Sequence, residues 1–153
     1  MRHGVWPLDL LLVEDDPNDI QLFKVAFGRC GKRARSLQVV RDGQEAIEYL
    51  CGNPPFTHEQ YRPPNIIVTD LKMDGTNGFE FLRWLRSHPD YAMIPTIVLS
   101  GSYLDHDVRT AYQLGANAFF TKPHGVAELS TILNATMEFW ALAEKPQVER
   151  VFG

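Results

Sequence analysis

Short apolar runs alternate along the chain with segments in which apolar residues recur every three or four positions. Leu8 to Val13 is apolar apart from Asp9 and runs into the acidic turn Glu14-Asp15-Asp16-Pro17, the pattern of a buried strand ending where a helix starts. Ile20, Leu22, Phe23, Ala26 and Phe27 follow at helical spacing, with Gly28 or Gly31 as the stop. Ser36 to Val40 reads as a second strand. Asp42-Gly43-Gln44-Glu45 has the form of a capping box ahead of Ala46, Ile47 and Leu50, and Gly52 ends that helix. From Gly52 to Pro64 the chain is rich in proline and polar residues, as a surface loop is, and Asn65 to Thr69 is a third strand with Asp70 at its carboxyl end.

The alternation continues. Asn77-Gly78-Phe79-Glu80 is a second capping box, before a helix that carries Leu82 and Leu85 and ends near His88-Pro89. Ile94 to Leu99 is a fourth strand, closing on Ser100-Gly101. Asp105 is placed to cap a helix bearing Val108, Ala111 and Leu114, which Gly115 closes. Asn117 to Thr121 is a short fifth strand, and a final helix from about Gly125 carries Val126, Leu129, Ile132, Leu133, Met137 and Trp140 toward Ala143. Strands that alternate with helices must lie parallel and be joined by right-handed crossovers, with helices on both faces. The predicted fold is therefore α/β: an open doubly wound five-stranded parallel sheet of order 2-1-3-4-5, flavodoxin-like. Residues 1–7 form an N-terminal segment, 8–144 the domain, and 145–153 a tail.

Composition narrows the classes. At 153 residues, 44% hydrophobic and 22% charged, the chain fits one soluble domain large enough to bury a core without staples. Cys30 and Cys51 form no metal-ligand or redox motif and read as reduced, structural thiols. The N-terminus does not have the form of a signal peptide, and no apolar run approaches the roughly 20 residues of a membrane span, so a cytoplasmic protein is expected. A net charge of −4 argues against direct nucleic-acid binding. The histidines show no ligand pairing and read as surface residues, while Trp6, Trp84 and Trp140 read as packing residues.

The chemistry lies after the strands. Ligands of an open parallel sheet gather outside the carboxyl ends of its strands. Glu14, Asp15 and Asp16 follow the first strand, Asp70 the third, Ser100 the fourth, and Thr121-Lys122-Pro123 the fifth. Clustered carboxylates repel one another unless a cation intervenes, and hard oxygen ligands suit Mg²⁺. A lysine and a hydroxyl facing such a site are placed to bind phosphoryl oxygens, with Asp70 as the nucleophile. Asp16 before Pro17 reads as a helix cap.

Leu11-Leu12-Val13-Glu14-Asp15-Asp16, Val68-Thr69-Asp70, Val98-Leu99-Ser100-Gly101 and Thr121-Lys122-Pro123, in this order and at these strand ends, make the chain resemble the receiver domains of two-component response regulators over residues 8 to 140. The resemblance implies a single-domain regulator that accepts a phosphoryl group on Asp70 from a histidine kinase. It implies a Mg²⁺ held by Glu14, Asp15, Asp70 and the Lys72 carbonyl, with Lys122 and Ser100 on the phosphoryl group and Phe119 as aromatic switch. It also implies a cis Lys122–Pro123 peptide. In such proteins the surface of the last two helices and last strand repacks on phosphorylation, and the phosphotransfer is self-catalysed rather than a turnover of substrate. Phe119 and Phe120, adjacent in a strand, must point to opposite faces, one inward and one outward. Where the family often has proline four residues after the acceptor, this chain has Asp74, and Lys72 is basic; both bear on how long a phosphoryl group persists.

The proline-rich loop Asn53 to Pro64 and the tail Met137-Glu138-Phe139-Trp140 further resemble single-domain regulators that partner phytochrome-type kinases. Such a protein is expected to form a homodimer through residues 137 to 153 and to signal to a downstream protein or phosphotransfer partner. Three readings compete. A haloacid-dehalogenase-type phosphatase needs two aspartates one residue apart, whereas Asp70 and Asp74 are separated by three. A flavodoxin-like cofactor module shares the fold, but Glu14-Asp15-Asp16 would repel its phosphate. The remaining reading is a receiver used only as a binding module.

Overall fold

The computed structural model describes residues 6–58, 61–73, 75 and 77–148. In chain order they form β1 (Leu8–Val13), α1 (Pro17–Gly28), a short 3-10 turn (Gly31–Arg33), β2 (Ala34–Val40), α2 (Gly43–Cys51), β3 (Ile66–Thr69), α3 (Gly78–Ser87), β4 (Thr96–Ser100), α4 (Asp105–Gln113), β5 (Ala118–Thr121) and α5 (Val126–Leu142). The strands make one parallel sheet in the order β2-β1-β3-β4-β5, as the alternation predicts.

Side chains leave a strand on alternate sides, so both sheet faces need cover. From β1, Leu8, Leu10 and Leu12 join Ile66, Val68, Ile97 and Leu99 against α1 and α5. Leu11 and Val13 join Ile67 and Val40 against α2 and α3. Phe119 and Phe120 are both half-buried, on opposite faces: Phe119 packs with Leu71, Leu82 and Val98, Phe120 with the α1–α5 side. Neither ring points outward, because helices cover both faces even at the edge strand.

Polar groups fix the helix starts. Asp16 caps α1 through the Asn18 and Asp19 amides, at 2.8 and 3.0 Å. Asp42 caps α2 through the Glu45 amide and Asn77 caps α3 through the Glu80 amide. Gly52, at φ 69°, ends α2. Asp105 does not cap α4: it is the first helical residue, the cap position is Leu104, and the Asp105 carboxylate instead pairs with Arg109 one turn on. His88 is only half-exposed: its ring joins a mutual aromatic cluster with Trp84 and Tyr91, with centroids 5.0 and 4.6 Å away. The cysteines are free, as expected.

Two polar knots hold the sheet away from the strand ends that carry the chemistry. Asp9, buried in β1, accepts hydrogen bonds from Arg35 and from the Ser36 hydroxyl. Arg86 reaches from α3 to the carbonyls of Ala92, Ile94 and Gly115 and to Asn117 Oδ1, clamping the α4–β5 corner. Near the limits of the described residues, the Trp6 amide donates to the Ala141 carbonyl at 2.8 Å, and Lys145 Nζ donates to the carbonyls of Trp140 and Ala143. Val148 then packs against the α2–α3 side. No helix of the described residues is long and apolar enough to cross a membrane.

Candidate functional site

The parallel register brings strand ends level. Val13 lies opposite both Val40 and Thr69, and Ser100 opposite Thr121. Backbone bonds carry the ladder one residue further: Glu14 N to the Val40 carbonyl (2.9 Å), Asp70 N to the Val13 carbonyl (3.0 Å) and Lys122 N to the Ser100 carbonyl (2.7 Å). Glu14 and Asp70 therefore leave the sheet from neighbouring strands, and Lys122 leaves it at the same carboxyl edge with β4 between. Lys122 Nζ donates to Asp70 Oδ2 at 2.8 Å, to Asp19 Oδ2 at 2.7 Å, and to Glu14 Oε1. Asp70 Oδ1 accepts from the Leu71 amide at 2.7 Å, which fixes the carboxylate plane, and the residue is 7% exposed.

Three carboxylates share one ammonium, and the electrostatics follow from that imbalance. Burial together with the charges of Asp70 and Asp19 pushes the Glu14 carboxyl up to about 7, although Lys122 acts in the opposite direction. Burial alone would lower the Lys122 ammonium, but hydrogen bonds to Asp19, Asp70 and Glu14 outweigh it and hold Lys122 protonated well above its ordinary value. Such a cluster gains from a further cation. Its donors are hard carboxylate oxygens, which fit a divalent ion such as Mg²⁺. Among the described residues no three acidic, histidine or cysteine side chains are grouped so as to hold a metal ion, and Glu14, Asp19 and Asp70 converge on the Lys122 ammonium instead.

An open depression of about 460 Å³ is lined by Asp70, Lys122, Ser100, Lys72, Asp19 and the Gly101–Leu104 loop. A second, of about 490 Å³, is lined by Asp15, Lys72, Leu71, Met73, Asn77 and Phe79. The sequence-predicted residues Glu14, Asp70, Lys122 and Ser100 thus meet at one place, and Asp15 stands on the adjoining wall with Lys72 between. Ser100 is buried at the end of β4. Phe119 stands one strand away, and its amide donates to the Tyr112 hydroxyl at 3.2 Å.

The family model of the response regulator receiver domain matches residues 10–134. The chain belongs to this family. The receiver is 30% identical over 134 residues to the response regulator Rcp1 of Synechocystis, covering 88% of this chain and 89% of that protein. It superposes with a TM-score of 0.83 on the phosphorylated cyanobacterial phytochrome response regulator RcpA, at 31% identity and covering 92% of this chain and 99% of that one. The Mn²⁺-bound form of Rcp1 gives a TM-score of 0.79 at 29% identity, over 92% of this chain and all of that one. The bacteriophytochrome response regulator RtBRR gives 0.73 at 32% identity, over 96% of this chain and 86% of that one. The match explains why the strand-end motifs recur in this order, and it makes the receiver a phosphorylation-linked signalling fold.

The structure corrects and extends the reading of the receiver's sequence. The Lys122–Pro123 peptide is trans; proline narrows the trans preference to about 0.5–1 kcal/mol but does not reverse it, and the cis peptide among the described residues is Pro54–Pro55. Asp16 is a helix cap, as read. Asp19 was not foreseen. It lies in the first turn of α1, and its signal was an acid set four residues before buried Phe23 and seven before buried Ala26, on the apolar face of the helix. Asp74, and residues 149–153 of the proposed dimer tail, lie outside the described residues.

Proposed function

We propose that this chain is a single-domain response regulator that accepts a phosphoryl group on Asp70 from the phosphohistidine of a histidine kinase. The observation that carries the reading is the Lys122 ammonium on Asp70, in an open depression also lined by Ser100. In the transfer, an Asp70 carboxylate oxygen bonds to phosphorus while the P–N bond breaks and its electron pair returns to the imidazole. Lys122 then exchanges its bonds with Glu14 and Asp19 for a phosphoryl oxygen, and the Ser100 hydroxyl donates to another. Glu14, Asp15, Asp70 and the Lys72 carbonyl would hold Mg²⁺, which supplies charge neutralisation at the phosphoryl oxygens when bound. The domain catalyses its own phosphorylation and hydrolysis at most, and turns over no separate substrate.

The signal leaves by the α4, β5 and α5 surface. The Phe119 ring packs against the cluster that holds Ala111 of α4, with Leu114 beside it, so movement of the ring would repack that face. The likeness to Rcp1, RcpA and RtBRR favours a phytochrome-type kinase as donor, met in the cytoplasm, where ATP charges the kinase. Output passes by contact with a protein target or by onward phosphotransfer. A homodimer is supported by Phe139 and Leu142 of α5, which are 64% and 63% exposed.

The test is phosphoryl uptake from acetyl phosphate with Mg²⁺, read by intact mass on wild type and Asp70→Asn, with size-exclusion in parallel. One Mg²⁺-dependent phosphoryl group on the wild type and none on the mutant is expected. Uptake by Asp70→Asn, or uptake unaffected by chelating the metal, overturns the assignment.

A further inference from the structure

Ser100 is already engaged. Its Oγ accepts a hydrogen bond from the Ser102 amide at 3.2 Å, and Ser102 is itself buried. The Ser102 hydroxyl in turn donates to Asp107 Oδ2 at 2.5 Å and accepts from the Leu104 amide at 3.3 Å. Asp107 belongs to the first turn of α4, whose own cap residue, Leu104, has no side chain to offer the helix. One hydrogen-bonded chain therefore runs from the Ser100 hydroxyl to the start of α4: Ser100, Ser102, Asp107. The loop between them carries Tyr103 and Leu104, 81% and 56% exposed, on the rim of the depression that holds Asp70.

We propose that Ser102 and Asp107 are positioning residues for the phosphotransfer, acting as a latch that holds Ser100 in its resting place. The proposal rests on the reading of Asp70 as phosphoacceptor. Among the described residues the Ser100 Oγ makes no hydrogen bond to Asp70 or Lys122; for it to move within donating reach of a phosphoryl oxygen, the Ser102 amide must either follow it or lose its acceptor. A buried amide left without an acceptor is costly, so residues 101–104 must shift with it. The hydrogen bond to the Asp107 carboxylate opposes that shift, because α4 fixes Asp107 and a charged acceptor binds more strongly than a neutral one. Breaking the latch lowers the free-energy gap to the phosphoryl-binding arrangement, and any ligand that prefers that arrangement binds more tightly by the same factor.

The experiment compares wild type, Asp107→Ala, Asp107→Asn and Asp105→Ala. Asp105 is the control: it lies in the same first turn with the same charge, but pairs with Arg109 on the exposed face and does not touch Ser102. Affinity for beryllofluoride with Mg²⁺, a phosphoryl mimic, is measured by calorimetry, and the rate of uptake from acetyl phosphate by intact mass. Asp107→Ala is expected to bind the mimic about five- to tenfold more tightly and to take up phosphoryl faster, with Asp107→Asn between it and wild type and Asp105→Ala unchanged. Amide resonances of Ser102 and Leu104 should already move in metal-free Asp107→Ala. Equal or weaker mimic binding by Asp107→Ala overturns the latch, and so does an equal gain in Asp105→Ala, which would assign the effect to charge at the helix start. Absence of uptake and of mimic binding in the wild type overturns instead the phosphoacceptor reading on which the latch depends.

Discussion

Gly78 offers the sharpest test of how the fold positions Asp70. It is the buried first residue of α3, and its amide donates to the Leu71 carbonyl at 3.0 Å. A Cβ at this position would lie 2.1 Å from the Asp70 carbonyl oxygen and 2.8 Å from Leu71 Cα. Those neighbours are backbone, so no side chain can swing away. To restore contact distance the start of α3 and the end of β3 must part by about 1 Å, an overpacking that belongs at the upper end of the usual ~1–3 kcal/mol range. With a urea m-value of ~1–3 kcal/mol/M, Gly78→Ala should lower the unfolding midpoint by roughly 1–3 M. The same displacement moves the acceptor, and a misplacement of about 1 Å is able to reduce a rate on the order of 10²-fold. Urea unfolding followed by circular dichroism, and acetyl-phosphate uptake measured where the variant is fully folded, separate the two effects. Gly28→Ala is the companion: nothing lies within 4 Å of its added Cβ, and it should be neutral or stabilising by up to ~1 kcal/mol. A Gly78→Ala protein within about 0.5 kcal/mol of wild type, with unchanged uptake, would refute the argument that this glycine sets the approach of α3 to Asp70.

Arg86→Ala removes hydrogen bonds to Ala92, Ile94, Gly115 and Asn117; a loss of about 3 kcal/mol, seen as a Tm fall of roughly 6–12 °C, is expected, and an unchanged Tm would contradict the clamp. Asp16→Ala should cost ~1 kcal/mol through loss of the α1 cap, while Asp16→Asn, which keeps an acceptor, should cost little; chemical denaturation of the pair distinguishes a cap from a charge effect. Burial would raise the Asp9 carboxyl, but hydrogen bonds from Arg35 and Ser36 overcome it and hold it below its ordinary value of 3.8. The folded value lies below the unfolded one, so Asp9 contributes stability at neutral pH that is lost as pH falls below about 4 through the folded value. The stability gap between wild type and Asp9→Asn should therefore be constant from pH 6 to 8 and narrow below pH 4, and a gap equal at pH 3 and pH 7 would refute the pairing.

The fold was legible because each strand is short, apolar and bounded by a turn or cap, and because alternation with helices leaves few topologies. Caps were readable where the residue stands just before the apolar period, as Asp16, Asp42 and Asn77 do. Asp105 misled by one position: it is the first residue of α4, and the cap position falls on Leu104, whose side chain has no oxygen to offer the helix. His88 reads as a surface residue and is half-exposed; the sequence does not mark that Trp84 and Tyr91 cover the rest of its ring.

The site was legible for a different reason. A parallel sheet converts position at a strand end into proximity, so Glu14, Asp70, Ser100 and Lys122, far apart in sequence, had to meet. What strand ends cannot reveal is how charge is shared once they do. Asp19 comes from a helix turn, and its carboxylate competes with Asp70 and Glu14 for Lys122. That competition keeps Lys122 partly withheld from Asp70 at rest and leaves an excess of negative charge beside the acceptor. On the proposed reading a divalent cation would relieve the excess, and a phosphoryl oxygen would take Lys122 from Glu14 and Asp19. On the same reading the cation would remove the repulsion among the acids, a phosphoryl group would add negative charge that the cation and Lys122 must balance, and Asp19, which shares that ammonium, belongs to the same charge cluster.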